Sequence, residues 1–327
     1  MWAAAARVPD LGARGRRSRR HVETMHHRAK KLADKFEDSS MRRMVRGNER
    51  GAPSEPLYHY TTADALFAII GSETFRFTSV YHMDDDQELS FGFGISHSLL
   101  SAAMEREDLH AKIFLKPLVE DVGFDRIKSR FEFYSASFGQ KDDPRQWTDY
   151  ADNGKGVALG LAPKLFSITK SGDFKPEEKI FLGKVEYGEP SAKIRHAAVV
   201  DSAVQTVKQA YKQGLLLKAE DEEAFLHLMA AEICVEILWN SVTTKADKWS
   251  HQAETRLLVV NDLKNPSIEI KNASKRPRVE IPQPLLKANI TEIMMGPKAS
   301  DDTRAKVRQF LDDNGLASVP VASAAAS

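Results

Sequence analysis

The sequence predicts an α+β fold, because its strand and helix patterns do not alternate one to one. Two helical patterns, Ser191–Gln213 and Asp221–Ser241, follow each other directly, and a series of strand patterns comes after them. Earlier in the chain, Phe75 and Phe77 alternate with polar neighbours, which is the period of a strand with one buried face. In the glycine-rich stretch 154–160 the glycine spacing is wrong for a dinucleotide-binding loop, and Gly154 and Gly156 precede a strand instead of opening a helix. The stretch therefore does not indicate a dinucleotide-binding parallel sheet. We therefore expect a single α+β domain.

Turn and cap residues divide the chain into elements in a definite order. Thr61 or Thr62, and later Ser300, are residue types that cap the start of a helix, whereas Gly71 and Gly315 are typical of its end. The predicted strands are Leu57–Tyr60, Phe75–Phe77, Phe133–Phe138, Val157–Leu161, Phe181–Tyr187, Arg256–Val260, Ser267–Ile270, Arg278–Ile281 and Ile290–Met294. The predicted helices are His26–Glu37, the segment capped at Thr61 or Thr62, Ser98–Leu118, a short helix through Trp147 and Tyr150, Ser191–Gln213, Asp221–Ser241 and the segment from Ser300 to Gly315.

The distribution of charge separates a basic arm from a mildly acidic body. Residues 1–50 hold fourteen Lys and Arg against six Asp and Glu, whereas the rest of the chain has a net charge of −7. The arm could tether the protein to nucleic acid or another anionic surface, or it could be an unstructured tail or sequence upstream of a true start at Met25 or Met41. Its composition favours disorder. We expect a disordered extension over residues 1–55, one domain over residues 56–323 and a disordered tail over residues 324–327.

Several classes of protein are disfavoured by simple observations. The one cysteine, Cys234, leaves no disulfide framework within the chain and suits a reducing compartment, so we expect a cytoplasmic protein. The apolar segment Phe225–Trp239 contains charged residues, which favours a buried helix over a membrane span. The carboxylates of residues 84–88 are oxygen ligands of the kind that Mg²⁺ and Ca²⁺ prefer, but a solvated turn accounts for them as well. We predict no metal site.

Four segments, in order, resemble a bacterial family, the domain of unknown function 2971. No single segment is specific, but their order and spacing make a chance match improbable. Thr255 departs from the family pattern, which has a large aromatic residue there. The segments are Leu57–Thr62 with the helix and strand that follow it to Phe77, Ser135–Phe138 with Gln146–Trp147 and Tyr150–Gly160, Trp249 with Glu254–Leu257, and Ile293–Ser300.

The beginning of this pattern also resembles ADP-ribosyltransferases, more distantly. Those enzymes begin with a strand carrying His-Tyr-Thr, a helix ending in Ile-Ile-Gly and a second strand, as His59, Tyr60 and Thr61 and the residues after them do here. The resemblance implies a split, mostly antiparallel sheet flanked by helices. It also implies an NAD site built from a His or Arg on the first strand, a Ser or Tyr on a later strand and a Glu that opens a late strand. In this chain these are His59, then Ser135 and Ser137, then Glu254.

The chemistry of NAD cleavage requires residues of these types. Breaking the bond between nicotinamide and ribose creates an oxocarbenium-like sugar, which a carboxylate such as Glu254 can stabilise. A neutral imidazole at His59 can hold ribose hydroxyls. The planar nicotinamide cation suits an aromatic face, which Tyr60, Tyr81, Trp147 and Tyr150 can offer. Arg145 or Arg256 can meet the pyrophosphate with two hydrogen bonds.

Each candidate also has an ordinary structural role. His59 and Tyr60 can simply begin the sheet, and Trp147 and Tyr150 can belong to the core. Glu254 and Arg256 lie two positions apart on a strand and can form a salt bridge on one face. If the residues instead form a site, the side chains of His59, of Ser135 or Ser137, and of Glu254 must meet in one cleft.

The sequence therefore gives two functional hypotheses. The first is an NAD-dependent ADP-ribosyltransferase-like enzyme of the bacterial toxin or phage-defence kind, with NAD as substrate and a protein or nucleic-acid acceptor. The second is a non-catalytic module of the same fold that binds a nucleotide or a protein. Neither requires a membrane or a metal. If the basic arm is instead the main functional part, the protein binds nucleic acid and loses that binding steeply with salt.

Overall fold

The computed structural model of the protein describes residues 27–51, 53–82, 87–121, 131–166, 180–262, 268–272 and 275–325. Helices and strands alternate irregularly along these residues. The α-helices are α1 (His27–Gly51), α2 (Ala63–Ser72), α3 (Gln87–Arg106), α4 (Leu109–Asp121), α5 (Pro144–Tyr150), α6 (Glu189–Lys212), α7 (Ala219–Val242) and α8 (Asp301–Asp313). The strands are β1 (Leu57–Thr61), β2 (Thr74–Ser79), β3 (Phe131–Phe138), β4 (Val157–Leu161), β5 (Ile180–Lys184), β6 (Glu186–Tyr187), β7 (Thr244–Lys245), β8 (Thr255–Asp262), β9 (Arg278–Pro282), β10 (Ile290–Met295) and β11 (Val321–Ser323).

The longer strands form two sheets. The first sheet has the order β1-β4-β10-β11 and the second has the order β5-β8-β3-β2-β9. Within the described residues, neighbouring strands are antiparallel except for the pairs β10/β11 and β6/β7. The structure thus confirms the α+β class and the mostly antiparallel sheets. The more specific ADP-ribosyltransferase-like arrangement stays a prediction.

One hydrophobic core lies against both sheets. Alternate residues of β3, namely Tyr134, Ala136 and Phe138, point into this core, as do Leu257 and Val259 of β8. Residues of α2 and α8 complete the same core. The period-two pattern of the strands therefore corresponds to one buried face, as the sequence predicts.

The two sheets meet where β1 passes the end of β3. The backbone N–H of Tyr58 donates to the carbonyl of Gly139 at 3.0 Å, and the N–H of Gly139 donates back at 2.9 Å. This junction places His59 and Tyr60 on opposite sides of β1, one toward the core and one toward α5. The second side is covered by a smaller cluster in which Tyr60, Trp147 and Ala151 are buried.

The chain divides into two compact units. The helical unit comprises the described parts of residues 1–44, 93–123 and 193–240, and the sheet unit comprises those of residues 45–92, 124–192 and 241–327. Inside the helical unit, Ser96 of α3 contacts the imidazole of His196 of α6, and Lys208 pairs with Glu107 at 2.9 Å. The single domain over residues 56–323 stays a prediction.

The predicted disorder of residues 1–55 is wrong for α1. Phe36 is only 2% exposed, and Ala29, Ala33 and Met44 are buried on the same side of the helix. Arg43 pairs with Glu236 of α7 through two bonds of 2.6 Å. The overall charge of the segment does not reveal these apolar residues, which recur at helical spacing and form one buried face. Residues 1–26, with the Arg-rich run, lie outside the described residues.

Other element boundaries also differ from the sequence prediction. The helix expected over Ser98–Leu118 is two helices, α3 and α4, because Asp108 accepts a hydrogen bond from the N–H of Ala111 and begins a new helix. Residues 268–270 are not a strand, and only Lys271 makes a bridge to Arg278. The predicted disorder of residues 324–327 is wrong for residues 324 and 325, which form hydrogen bonds.

The last two described residues are held by hydrogen bonds to other parts of the sheet unit. The N–H of Ala324 donates to the carbonyl of Met295 at 2.9 Å, and the N–H of Ala325 donates to the carboxylate of Asp142 at 2.8 Å. The first of these bonds extends the parallel pairing of β11 with β10, and β11 is a strand that the sequence did not predict.

One described helix, α7, is long and apolar enough to cross a membrane by length and composition. Of its most apolar stretch, 56% is buried inside the protein. Core helices pass the same test, and the interpretation of this segment as a buried helix is compatible with that burial.

Candidate functional site

A buried ionic cluster surrounds Glu254, the residue that precedes β8. Its carboxylate accepts hydrogen bonds from Nε of Arg256 at 2.9 Å, from Nη2 of Arg256 at 3.1 Å and from Nζ of Lys245 at 2.6 Å. Arg256 also donates to the carbonyl of Val242 at 2.7 Å. Glu254 is 5% exposed and Arg256 is 1% exposed. Two cations thus hold one carboxylate in a place that solvent barely reaches.

A chain of amide and hydroxyl groups joins this cluster to the surface. Lys245 donates to the side-chain oxygen of Gln252 at 2.8 Å, and the Gln252 amide donates to the hydroxyl of Tyr150 at 3.3 Å. The amide of Gln146 donates to the carbonyl of Gln252 at 3.3 Å. Tyr150 is 49% exposed. The second and third segments of the family resemblance therefore meet here.

The charges around Glu254 determine its protonation state. Burial by itself would raise the pKa of this carboxyl, but Arg256 and Lys245 outweigh burial and hold the pKa well below its usual range. Glu254 is therefore a carboxylate whose charge is already balanced by its neighbours. Such a group stabilises a developing positive charge on a substrate less than a carboxylate without these partners would.

His59 packs against the edge of the hydrophobic core of the sheet unit. Its ring packs against Phe75 and Phe138, with ring centres 5.7 and 5.5 Å away. Its Nδ1 lies 3.0 Å from the carbonyl oxygen of Ser137, and because a carbonyl only accepts, Nδ1 carries the proton. Burial lowers the pKa of His59, although the bond to Ser137 acts in the other direction. The imidazole is neutral, as expected, but its Nδ1–H bonds to the backbone carbonyl of Ser137 and not to a ligand.

His59 and Glu254 do not share a cleft. Phe138, which contacts His59, points into the core, whereas Ser137 points to the other face of β3. Ser137 pairs in register with Arg256 across β3 and β8, so the Arg256–Glu254 pair is on the face away from the core. The predicted convergence of His59 and Glu254 is therefore wrong. The sequence could not reveal this, because the faces depend on where β1 joins β3.

The two predicted serines occupy different environments on β3. Ser135 is buried, and its hydroxyl has no hydrogen-bond partner among the residues that the structure describes. Ser137 is half-buried and contributes only its carbonyl to His59. Both side chains are on the Arg256 side of the sheet, but neither bonds to Glu254 in the contacts described.

The aromatic candidates other than Tyr150 serve the core. The Tyr60 hydroxyl donates to the carbonyl of Gln140 at 2.6 Å and accepts from the N–H of Asp143 at 2.9 Å. The Trp147 ring packs edge-on against Tyr60 at 4.8 Å, and its indole N–H donates to Asp142 at 2.8 Å. Thr61 is half-buried at the end of β1. The residues predicted to hold NAD therefore do not form one site.

A second feature, which we call the lysine cleft, lies at the C-terminal end of β1. It has a volume of about 400 Å³ and is an open groove between the start of α2, the turn before β4 and the start of α8. Three ammonium groups, two carboxylates, three hydroxyls and one aromatic ring line it. The lining residues are Thr62, Ala63, Asp64, Phe67, Asp152, Lys155, Gly156, Lys298, Ser300, Thr303 and Lys306.

The backbone beneath the cleft is tightly constrained. Asp152, Asn153 and Gly154 all have positive φ, at 49°, 51° and 86°. The N–H of Gly296 donates to the carbonyl of Gly156 at 2.9 Å, and a side chain at Gly156 would place Cβ 2.3 Å from the carbonyl oxygen of Thr61. Consecutive left-handed residues cost free energy, so the surrounding packing must hold this turn in place. The first, second and fourth segments of the family resemblance meet at this point.

The cations of the cleft differ in their partners. Lys306 pairs with Asp302 at 2.6 Å, whereas Lys298 donates to the neutral side-chain amide of Asn153 at 3.2 Å. Lys155 has no side-chain partner among the described residues. The helix caps beside them are occupied, since the hydroxyls of Thr62 and Ser300 accept from Ala65 and Thr303.

Only some residues of this cleft could be recognised from the sequence. The position of Lys298 and Ser300 before a helix is a recognisable anion-binding signal, although capping is the commoner role. Lys155, between two glycines, and Lys306, on the last helix, gave no signal of their own. Their meeting depends on the turn at residues 152–154.

No cluster of three or more metal-ligating side chains occurs in the described part of the chain. Of the carboxylates considered as metal ligands, Asp84, Asp85 and Asp86 lie outside it. The prediction that the protein has no metal site stays a prediction.

Comparison with known proteins gives one family. Residues 146–257 match the family model described as protein of unknown function (DUF2971). This range contains Gln146, Trp147, Tyr150 and the Glu254–Arg256 pair, and so covers the ionic cluster. No curated protein and no solved structure matches the chain. Over these residues the chain is similar to the DUF2971 family of proteins of unknown function, which is the family that the sequence segments resemble.

Proposed function

We propose that the sheet unit binds a phosphorylated small molecule of the nucleotide class, without transforming it, in the lysine cleft. The observation that carries this proposal is the meeting of Lys155, Lys298 and Lys306 around one groove of about 400 Å³. Ammonium groups at such a groove favour an anion with several oxygen acceptors, which is what a phosphate group offers. Lys155 and Lys298 are the principal candidates, because neither is neutralised by a carboxylate among the described residues.

The remaining lining groups favour a nucleotide over inorganic phosphate. The carboxylates of Asp64 and Asp152 are acceptors for sugar hydroxyls, and they would repel an anion that lacked such donors. Phe67 offers an apolar surface to a base; its ring already packs against Phe310 with centres 4.6 Å apart, which fixes its orientation. Small-molecule sites commonly combine a few convergent polar groups with such a surface.

The transferase hypothesis has less support from the same geometry. It needs a carboxylate free to face a ribose, whereas Glu254 is held by Arg256 and Lys245. It also needs His59 beside that carboxylate, and His59 packs against Phe75 and Phe138 instead. NAD cleavage by this protein stays a prediction, and NAD is included below as a ligand.

The binding proposal is tested by calorimetry on the full chain with ADP, NAD and inorganic phosphate. We expect ADP or NAD to bind more tightly than phosphate. Replacing Lys155 and Lys298 together by Gln should weaken that binding by about tenfold per lysine, since a charged hydrogen bond contributes about 1.5–3 kcal/mol. Lys184→Gln, on β5 and outside the cleft, is the matched control and should leave the affinity unchanged.

Two results would count against the proposal. One is the absence of heat with all three ligands at millimolar concentration. The other is an equal loss of affinity in the double variant and in Lys184→Gln. Assaying the NAD sample for free nicotinamide separates binding from cleavage, and stoichiometric release that persists in the double variant would favour the transferase hypothesis.

A further inference from the structure

The outer face of α1 carries a stripe of cations, which we call the basic stripe: Arg28, Lys31, Lys35 and Arg42. We propose that this stripe is a nucleic-acid-binding surface that contacts phosphates of the backbone. The proposal rests on the helical unit alone and is independent of the lysine cleft.

Helical geometry aligns the four cations. Their spacings of three, four and seven residues return to the same side of an α-helix, and all four side chains are exposed. At about 1.5 Å rise per residue the stripe extends for roughly 21 Å. That length covers several phosphates of one strand, which repeat about every 3.4 Å along a duplex axis. A polyanion can therefore meet the whole stripe, whereas a small anion can meet only one or two of its charges.

The opposite face of α1 packs against the rest of the helical unit. Ala29, Ala33, Phe36 and Met44 are buried within the helical unit. Arg43 adds its two bonds to Glu236 and a longer contact of 3.4 Å to the hydroxyl of Ser202. The stripe is consequently held on a docked helix.

This burial distinguishes between the two polyanionic partners that a basic helix can have. An amphipathic helix that inserts into a membrane places its apolar face in the lipid interface. The apolar face of α1 is not available for that, because it is packed inside the protein. Nucleic acid needs only the charged face, so it is the partner that the structure favours.

Nearby acids reduce the charge of the stripe but do not cancel it. Asp34 is paired with Lys30 at 2.8 Å and lies beside the stripe. Asp38 is the exposed acid nearest in spacing to Lys35 and Arg42. Lys31, Lys35 and Arg42 together with this one acid leave a net charge of about +2. Residues 51–327 carry a net charge of −7, so phosphate contacts are expected on the N-terminal part of the chain.

The test is fluorescence anisotropy of the full chain with labelled duplex DNA, single-stranded DNA and single-stranded RNA at several salt concentrations. The stripe variant combines Lys31→Gln, Lys35→Gln and Arg42→Gln. If these side chains each neutralise a phosphate, the slope of log K against log salt should fall by roughly 2.7 for duplex DNA, and affinity near 0.15 M salt by roughly a hundredfold. The control variant combines Lys164→Gln, Lys184→Gln and Lys275→Gln, three exposed cations of the sheet unit, and changes the net charge by the same amount. It should lose less than about threefold, because those lysines make no phosphate contact in the proposed complex.

Three outcomes would overturn the proposal. The first is an unchanged salt slope in the stripe variant together with lost binding when residues 14, 16, 17, 19 and 20 are replaced by Gln. The second is an equal loss in the stripe and control variants, which would show a general charge effect. The third is binding to phosphatidylserine vesicles and to no nucleic acid. Circular dichroism of each variant confirms that α1 and its unit remain folded.

Discussion

The carboxylate of Glu254 and the guanidinium of Arg256 form a two-point ion pair, with Nε–Oε1 at 2.9 Å and Nη2–Oε2 at 3.1 Å. The pair lies at the start of β8, on the face away from the hydrophobic core. Lys245 adds a second cation on the same carboxylate at 2.6 Å. The sequence allowed either a catalytic role for Glu254 or a structural salt bridge with Arg256, and the structure contains the salt bridge. Because the pair is buried, breaking it should cost much more stability than breaking a surface pair.

Glu254→Gln is expected to destabilise the protein by about 3–5 kcal/mol, because it leaves Arg256 and Lys245 buried without a counter-charge. Urea unfolding followed by circular dichroism measures this loss. The matched control is Asp34→Asn, which removes an exposed partner of Lys30 and should cost less than about 1 kcal/mol. A Glu254→Gln protein that unfolds at the parental urea concentration would mean that the buried cluster contributes little.

Acid should weaken the protein for the same reason. The pKa of Glu254 is lowered in the folded state by Arg256 and Lys245 against the effect of burial, relative to an ordinary value of 4.5. A lowered folded-state pKa stabilises the protein above the unfolded-state value, and that stabilisation is lost as pH falls toward the folded-state pKa. The free energy of unfolding should therefore drop as pH falls below about 4.5. In Glu254→Gln this drop should be smaller, and an identical pH profile in the two proteins would assign the acid sensitivity to other groups.

Local patterns predicted the elements of this protein better than its site. The alternation in Phe75–Phe77 and the cap at Ser300 gave the correct strand and helix, because each signal lies within a few residues. The helix after β1 runs one residue past Gly71, and Glu73 takes the left-handed conformation with φ of 50° instead. Tertiary contacts decide such details.

The candidate site depended on relations that no local pattern contains. Whether His59 faces Glu254 is set by the junction of Tyr58 with Gly139, about 80 residues away along the chain. The lysine cleft likewise requires the turn at residues 152–154 to bring Lys155 to the start of α8. The sequence could name residue types, but it could not say which of them meet.

Gly156→Ala should both destabilise the protein and distort the lysine cleft. Its new Cβ would lie 2.3 Å from the carbonyl oxygen of Thr61 and 2.9 Å from that of Ala151, and backbone atoms yield little. Overpacking of this kind costs about 1–3 kcal/mol or more. Gly71→Ala is the control, because nothing lies within 4 Å of its Cβ position in α2, and it should stabilise the protein by about 0.4–1 kcal/mol. Thermal unfolding of the two variants should therefore shift in opposite directions.

Glu232 on α7 should give the helical unit the opposite dependence on pH. Burial, with a contribution from the charge of Glu37 on α1, raises the pKa of Glu232 from 4.5 to about 7. A raised folded-state pKa means that the protonated acid is favoured, so its stabilisation is full below about 4.5 and is lost as pH rises through about 7. Glu232→Gln keeps the shape of the protonated acid and should leave stability nearly unchanged at pH 4. At pH 8 the variant should exceed the parent by about 1 kcal/mol, after allowance for the partial exposure of the side chain.

Two further variants test that mechanism. Glu223→Gln removes an exposed carboxylate of the same helix and should have no effect at either pH. Glu37→Gln removes the neighbouring charge, so the remaining Glu232 should titrate closer to its ordinary value. The loss of stability should then be complete at a lower pH and be smaller in total. Urea midpoints at pH 4, 6 and 8 for the three variants distinguish these cases. If Glu232→Gln and Glu223→Gln behaved alike at pH 8, Glu232 would be solvated in solution, and the packing of α1 against α7 that buries it would need to be revised.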